Sequence, residues 1–366
     1  MSEVREANFI VGIYGQSESQ NNLIGQTLGS PGTRSDIQFY NRLDINRNQI
    51  FCAIAPVDYP EKIKPFLQTL AMTKIHILVI DLNYDLNAIT GEILVGMDLY
   101  HQIYQTHTLV VITGINAKNE WKLANTIKKV ESILNTSSLR GSEVLIVKSK
   151  GDLELLKDKI SNFNDIKPIP KDNSREYSKV LIDHVFPVKG IGTVILGIVN
   201  KGEIHTGQML ELTGNENIGK KVIIRSIQKH DRNYKEAFKG DRVGLALKGN
   251  ISPKEINRDH ILATQGILKP NKKIKAKVFL NKFYAPKDGK IIPRNGVQYY
   301  GIVDLKISPF KFTEGKELSP GENSIMTMEF NKNVYSDGTP ITGIITELNR
   351  FNGKLRIIGH YTQILN

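Results

Sequence analysis

The chain has 366 residues, 40% of them hydrophobic and 23% charged, an ordinary globular balance with room for two or three domains. No apolar run reaches the roughly 18 residues of a membrane span, and the opening MSEVREANF has no apolar signal stretch. The single cysteine, Cys52, excludes an internal disulfide and a paired-thiolate metal site and reads as a buried strand residue. A formal charge of +12 and a pI near 9.4 favour a polyanionic partner, because each neutralised phosphate releases condensed counterions.

In chain order, FIVGIYG (9–15), IFCAIA (50–55), IHILVID (75–81), TLVVITGI (108–115) and EVLIVK (143–148) read as buried strands. Between and after them, 59–72, 92–104, 120–135 and 153–163 repeat their apolar residues at helical spacing. Alternating strand and helix predicts a parallel sheet covered by helices. Residues 164–179, NDIKPIPKDNSREYSK, then read as a linker rich in Pro, Asp and Asn. Beyond it, short strands separated by Gly, Asn and Asp turns continue to the C-terminus, as closed β barrels require. KGIGTVILGIV, KKVIIRSI, DRVGLALKG, KIKAKVFL and KLRIIGHYTQIL are the clearest, with a second boundary near GILKPN (266–271).

The stretch 182–248 carries a more specific signal. VFPVKGIGTVILG joins an apolar strand to a Gly-x-Gly-Thr turn expected to let two backbones approach closely, and RSIQKHD and KGDRVGLALKG continue the alternation. In this order the segments resemble the second, β-barrel domain of the translational GTPases, most closely that of the selenocysteine-specific elongation factors. KIKAKVFL, IIPRNGVQYYGIVDLKI, SPGENSIMTMEF and KLRIIGHY follow the order of the family's third domain more faintly. The resemblance implies a P-loop-NTPase-like α/β domain over 1–165, a linker over 166–178, and β barrels over 179–266 and 267–366.

The nucleotide motifs of that family fail in register. A phosphate loop, G-x-x-x-x-G-K-[ST], needs glycines for close backbone approach, Lys for the β and γ phosphates and a hydroxyl for Mg²⁺. Here Gly15 remains, but Gln20, Asn21 and Asn22 stand at the second glycine, lysine and hydroxyl, and Glu18 adds a carboxylate. The family's Asp-x-Pro-Gly-His falls on Ala55 to Tyr59, and its base-reading Asn-Lys-x-Asp on Thr113, Gly114, Ile115 and Asn116. Arg34 to Asp44, where the first switch would lie, offers no convincing Mg²⁺-binding threonine. The expectation is a chain with no catalytic residues and no cofactor, whose former switch surface keeps one shape.

By the same resemblance, the second domain would hold an aminoacyl and tRNA-end pocket walled by Asp183, His184, Phe186, Leu196 and Arg242. In the selenocysteine factors a carboxylate and basic groups at this wall select an anionic selenolate. Ribosome or RNA contact is expected at Lys189, Arg225, His230, Lys272, Lys273, Lys275 and Lys277. The last four belong to a basic run, Lys269 to Arg294, opposed only by Asp288. The eight histidines form no H-E-x-x-H or i, i+4 zinc pair, no G-x-S-x-G elbow occurs, and Asp81 and Asp85 read as solvated loop carboxylates. The expected protein is a cytoplasmic monomer that binds ribosome, tRNA or both, without DNA, membrane or metal, and so regulates or protects ribosomes. Two alternatives remain: a tRNA-binding elongation factor with an unorthodox GTP site, and a protein–protein adaptor.

Overall fold

The computed structural model describes residues 6–163, 177–214, 219–348 and 354–365. They fall into two compact units, the first within Met1–Pro170 and Phe351–Lys354 and the second within Lys171–Arg350 and Leu355–Asn366. The linker expected over 166–178 lies, apart from Tyr177 and Ser178, outside the described residues. Among the described residues no helix is long and apolar enough to cross a membrane.

In the first unit, β1 (Ala7–Tyr14), β4 (Gln49–Pro56), β5 (Ile75–Asp81), β6 (His107–Thr113) and β7 (Glu143–Ile146) run parallel in the order β4-β1-β5-β6-β7. A hairpin of β2 (Ser30–Arg34) and β3 (Ile37–Asp44) adds antiparallel to β4. Every residue of β1 and β5 is buried, as a sheet covered on both faces demands. The covering helices are α1 (Glu18–Leu28), α2 (Ile63–Met72), α3 (Ala88–Tyr104), α4 (Leu123–Asn135) and α5 (Lys150–Ser161). Phe9, Val11, Ile13, Ile77, Val79 and Val111 meet Ile24 and Leu28 of α1 and Leu156 and Ile160 of α5 in one core. Asn87 caps α3 by accepting from the amides of Ile89 and Thr90, and Ser149 closes a capping box with Asp152 on α5.

The second unit is all antiparallel. β8 (Lys179–Val188), β9 (Gly192–Lys201), β11 (Met209–Thr213), β12 (Lys220–Lys229), β15 (Arg242–Lys248) and β16 (Ile261–Ala263) close a six-stranded barrel in the order β11-β16-β8-β9-β15-β12. A short β10 (Glu203–His205) pairs with β14 (Glu236–Phe238), and β13 (Arg232–Tyr234) extends β12. The second closed barrel is β17 (Lys269–Leu280), β20 (Asn323–Ser336), β19 (Lys306–Gly315), β18 (Tyr299–Val303), β21 (Thr342–Thr346) and β22 (Ile357–Gln363), in that order. The turn glycines behave differently from expectation. Gly190 (φ +79°) and Gly192 (φ +105°) face open space and serve only the left-handed turn; the close approach is at Gly197, where a Cβ would lie 2.3 Å from the carbonyl oxygen of Leu181.

The two barrels share a buried charge network. Lys179 Nζ lies 2.9 Å from Asp304 and 3.3 Å from Asp337, and Lys201 Nζ lies 3.2 Å from Asp337. Burial alone would lower the Lys179 pKa, but Asp304 and Asp337 outweigh it and push it up. Lys306 Nζ adds bonds to the carbonyls of Gly214 (3.0 Å) and Asn333 (2.9 Å).

Candidate functional site

The loop that stands where the family has its phosphate loop is short and closed on itself. β1 ends at Tyr14, Gly15, Gln16 and Ser17 turn the chain, and α1 already begins at Glu18. Asn21 therefore sits inside the helix, 8% exposed, and its Nδ2 donates 2.9 Å to the carbonyl of Gly15. A Cβ on Gly15 would lie 2.5 Å from Val79 O and 2.7 Å from Asn21 Oδ1, so backbone and carboxamide fill the bend. Asn21 Oδ1 is buried without a partner among the described residues, as are the side-chain oxygens of Gln16 and Gln20. One of the two Asn21 amide protons is spent on Gly15, and the uncharged carboxamide brings no cation to phosphate oxygens. These residues do not fit a magnesium-bound triphosphate.

Asn22 accepts a 2.6 Å hydrogen bond from the Tyr40 hydroxyl on β3. The same ring packs on Gly25, where a Cβ would come within 2.3 Å of it. Burial raises the Tyr40 pKa, keeping the hydroxyl a donor. Arg34 at the end of β2 pairs with Glu18 at 2.9 Å across an exposed surface. Arg34 to Asp44 thus forms the turn and second strand of the β2–β3 hairpin, latched to α1. The Ala55 to Tyr59 segment is fixed as well: Val57 N donates to Asp36 O at 2.9 Å, and Tyr59 OH to Glu92 at 3.0 Å.

At the C-terminal ends of β5 and β6, Thr113 bonds to Ile80 O (3.3 Å) and Gly114 turns with φ +68°. The Gly114 carbonyl accepts from the side chains of Asn119 (2.9 Å), Asn116 (3.2 Å) and Asn83 (3.3 Å). Asn83 Oδ1 accepts in turn from Asn119 (2.9 Å) and Asn116 (3.1 Å). The amides satisfy one another where the family's motif would read a base. Sequence reasoning passed over Asn83 and Asn119, which carry no motif of their own. Asp81 differs from expectation: it is buried, and its Oδ1 accepts from the backbone and side chain of Asn83 at 3.0 and 2.8 Å. Asp85 is exposed and paired with Lys122 at 3.3 Å.

On the first barrel, Asp183, His184 and Arg242 do meet. A register shift between Ile182 and His184 bulges the strand at Asp183, turning its side chain inward to 1% exposure. Arg242 grips it with Nε to Oδ2 and a terminal nitrogen to Oδ1, both 3.1 Å, and His184 Nδ1 lies 2.9 Å from Oδ1. Arg258 Nε donates to the Asp183 carbonyl at 2.8 Å. Burial would raise the Asp183 pKa, but Arg242 and the bonds from His184 and Arg242 hold the carboxyl below the usual range. His184, Leu196 and Gly244 pair laterally across β8, β9 and β15. Phe186, two residues on, is exposed and pairs with Val194.

The seven basic positions are dispersed. Lys189 lies in the β8–β9 turn, whose Ile191 carbonyl Arg225 approaches at 3.4 Å, while His230 sits at the β12–β13 tip with φ +44°. Lys273, Lys275 and Lys277 alternate outward on β17 while Ile274, Ala276 and Val278 fill the barrel. Lys273 spends its charge on Glu314 at 2.9 Å; Lys272, Lys275 and Lys277 make no ion pair among the described residues.

Comparison with known proteins agrees with this fold. The family model of elongation factor Tu domain 2 matches residues 192–256. An uncharacterized protein of Methanocaldococcus jannaschii is 31% identical over 273 residues, 75% of this chain and 77% of that protein. The selenocysteine-specific elongation factor of the same organism is 33% identical over 192 residues, 52% of this chain but only 39% of that factor's length. Among solved structures, translation elongation factor SelB from Methanococcus maripaludis, in complex with the GTP analogue GppNHp, superposes with a TM-score of 0.80 at 23% identity, covering 99% of this chain and 80% of that one. A bacterial selenocysteine-specific elongation factor gives 0.77 at 18% identity, covering 97% of this chain and 58% of that one. The chain belongs to the translational GTPase family.

Proposed function

We propose that the chain is a translation-factor-like protein that works without a nucleotide switch, binding the ribosome, tRNA or both through its barrels. The closed loop after β1 carries this reading: Asn21 is buried and bonded to Gly15 at the place where the family uses a lysine. Neither lysine nor hydroxyl stands at the two motif positions, which are Asn21 and Asn22, and the base-reading carboxylate is absent from Thr113 to Asn116. Losing preorganised transition-state charge of this kind costs several powers of ten in phosphoryl transfer. A factor that cannot time its release by hydrolysis acts by occupancy, which suits regulation or protection of ribosomes in the cytoplasm. The pairing of Arg242 with Asp183 leaves an internally neutralised wall, which fits an uncharged aminoacyl end better than an anionic one.

Sedimentation of lysates from growing and starved cells through a sucrose gradient tests this. Co-migration with a ribosomal peak at low salt, weakened in the Lys272→Glu, Lys275→Glu, Lys277→Glu variant, is the expected result. Absence from every ribosomal fraction and from tRNA overturns it. Stoichiometric GTP binding abolished by Asn21→Ala or Asn116→Ala would establish the unorthodox nucleotide site instead. A complex that forms without RNA and survives high salt would establish the adaptor, since phosphate contacts weaken steeply with salt.

A further inference from the structure

The chain's only tryptophan, Trp121, is 76% exposed, and Tyr84 is 54% exposed. They stand on the two loops that leave β6 and β5, and those loops are locked together. Asn116 and Asn119 both bond to Asn83, beside Tyr84, and Lys122, beside Trp121, pairs with Asp85 at 3.3 Å. The indole Nε1 donates to the Lys118 carbonyl at 3.0 Å, so the ring is held while its surface faces solvent. Folding therefore holds the Trp121 ring in place and sets Tyr84 on the loop locked to it, without burying either ring.

The surrounding charge is positive. Glu120 is neutralised by Lys148 at 2.5 Å and Asp85 by Lys122. Lys118, Lys128 and Lys129 are exposed and make no ion pair among the described residues. Lys128 and Lys129 follow Trp121 by about two helical turns, roughly 11 Å along α4. Exposed Asn116, Lys118, Glu120 and Asn125 lie close to Trp121 in sequence, so it stands among the polar and charged groups that the core of a protein interface is depleted of.

We propose that Tyr84 and Trp121 are a stacking platform for unpaired bases of single-stranded RNA, whose phosphates run along Lys118, Lys128 and Lys129. Stacking on aromatic faces tolerates any base, and lysines act on phosphates as point charges. Because the amides of Asn83, Asn116 and Asn119 are spent on one another, the platform carries no hydrogen-bond reader and binds with little base preference. This contact goes beyond the barrel-borne binding proposed above and stands without it.

Trp121 reports on the site directly. Emission of the full chain is titrated at low salt with oligouridylate and oligoadenylate, each about eight nucleotides long, a length within the span single-strand sites cover. Saturable quenching by both, weakening as salt rises, is the expected result. By anisotropy of a labelled oligomer, Trp121→Phe retains binding, while Trp121→Ala and Tyr84→Ala each weaken it about tenfold, the loss expected for one base stack. Lys128→Glu with Lys129→Glu lowers the salt dependence. Binding that leaves the emission unchanged, or that Trp121→Ala does not weaken, overturns the proposal, as does equal quenching by oligoglutamate. Quenching by the oligomer in a protein absent from ribosomal and tRNA fractions overturns only the barrel-borne reading; ribosome co-migration with no oligomer effect overturns only this one.

Discussion

Asp183→Ala tests how the first barrel holds its buried ion pair. The mutation removes a carboxylate whose side chain is 1% exposed and leaves Arg242, 14% exposed, facing a gap. Two charge-assisted bonds at 3.1 Å and one from His184 at 2.9 Å are lost. Breaking a buried pair by removing one partner costs about 3–5 kcal/mol. Arg242 keeps some access to water, so the lower end applies, about 3 kcal/mol. Asp183→Asn keeps the volume and an acceptor but not the charge, and should cost roughly half as much. Adding Arg242→Ala to Asp183→Ala should cost less than the sum, with a coupling of about 2 kcal/mol. Trp121 lies in the other unit, so its emission is blind to this change; amide hydrogen exchange along β8, β9 and β15 is the suitable assay. The pH response has a definite sign. The folded carboxyl titrates below its unfolded value of about 3.9, so the stabilisation is complete above that pH and is lost as pH falls through the lower folded value. A loss under about 1 kcal/mol for Asp183→Ala, the scale of an exposed pair, would refute the assignment of this group as a desolvated clamp.

Other perturbations separate the remaining features. His76 is fully buried, and burial pushes its pKa down to about 3. The unfolded chain therefore takes up a proton first, and the first unit should lose roughly 1 kcal/mol per pH unit as pH falls from about 6.5 towards 3; Trp121-monitored denaturation should show the slope and His76→Phe should flatten it. Tyr40→Phe removes the bond to Asn22 and should cost about 1 kcal/mol, read as faster amide exchange in β2 and β3 with the rest of the sheet unchanged. Lys229→Ala takes the cation from Asp241, the two being 4% exposed and 3.2 Å apart, while the Phe238 amide still donates to the carboxylate; the change should cost about 3 kcal/mol in the β12–β13 region by the same exchange measurement. Gly197→Ala should prevent normal β8–β9 pairing, visible as loss of soluble protein or of exchange protection, because its Cβ would lie 2.3 Å from a backbone oxygen.

The strands of the parallel sheet were legible because burial on both faces leaves uninterrupted apolar runs, as in β5, Ile75–Asp81. The barrels were legible from period-two alternation, clearest in KIKAKVFL on β17. α1 escaped notice: of ESQNNLIGQTL, only Ile24 and Leu28 are apolar residues turned to the core. The β2–β3 hairpin escaped too, since SPGTR is exposed throughout and has no apolar residue to alternate. At the nucleotide end, sequence showed which letters were missing but not what fills the space. That Asn21 turns back onto Gly15, and that three asparagines satisfy one another, depends on contacts between loops distant in sequence. The grip of Arg242 on Asp183 spans 59 positions and has no local signature.

The shared network of Lys179, Lys201, Asp304 and Asp337 bears on how this molecule can be re-engineered or can recombine. Each barrel contributes only one sign of charge to it, so neither is electrically complete in that region without the other. A chimera taking one barrel from a relative with apolar residues there would trap two lysines or two aspartates against hydrocarbon, at a cost of several kcal/mol per ion. Any graft that exchanges one barrel must therefore carry its counter-charges along.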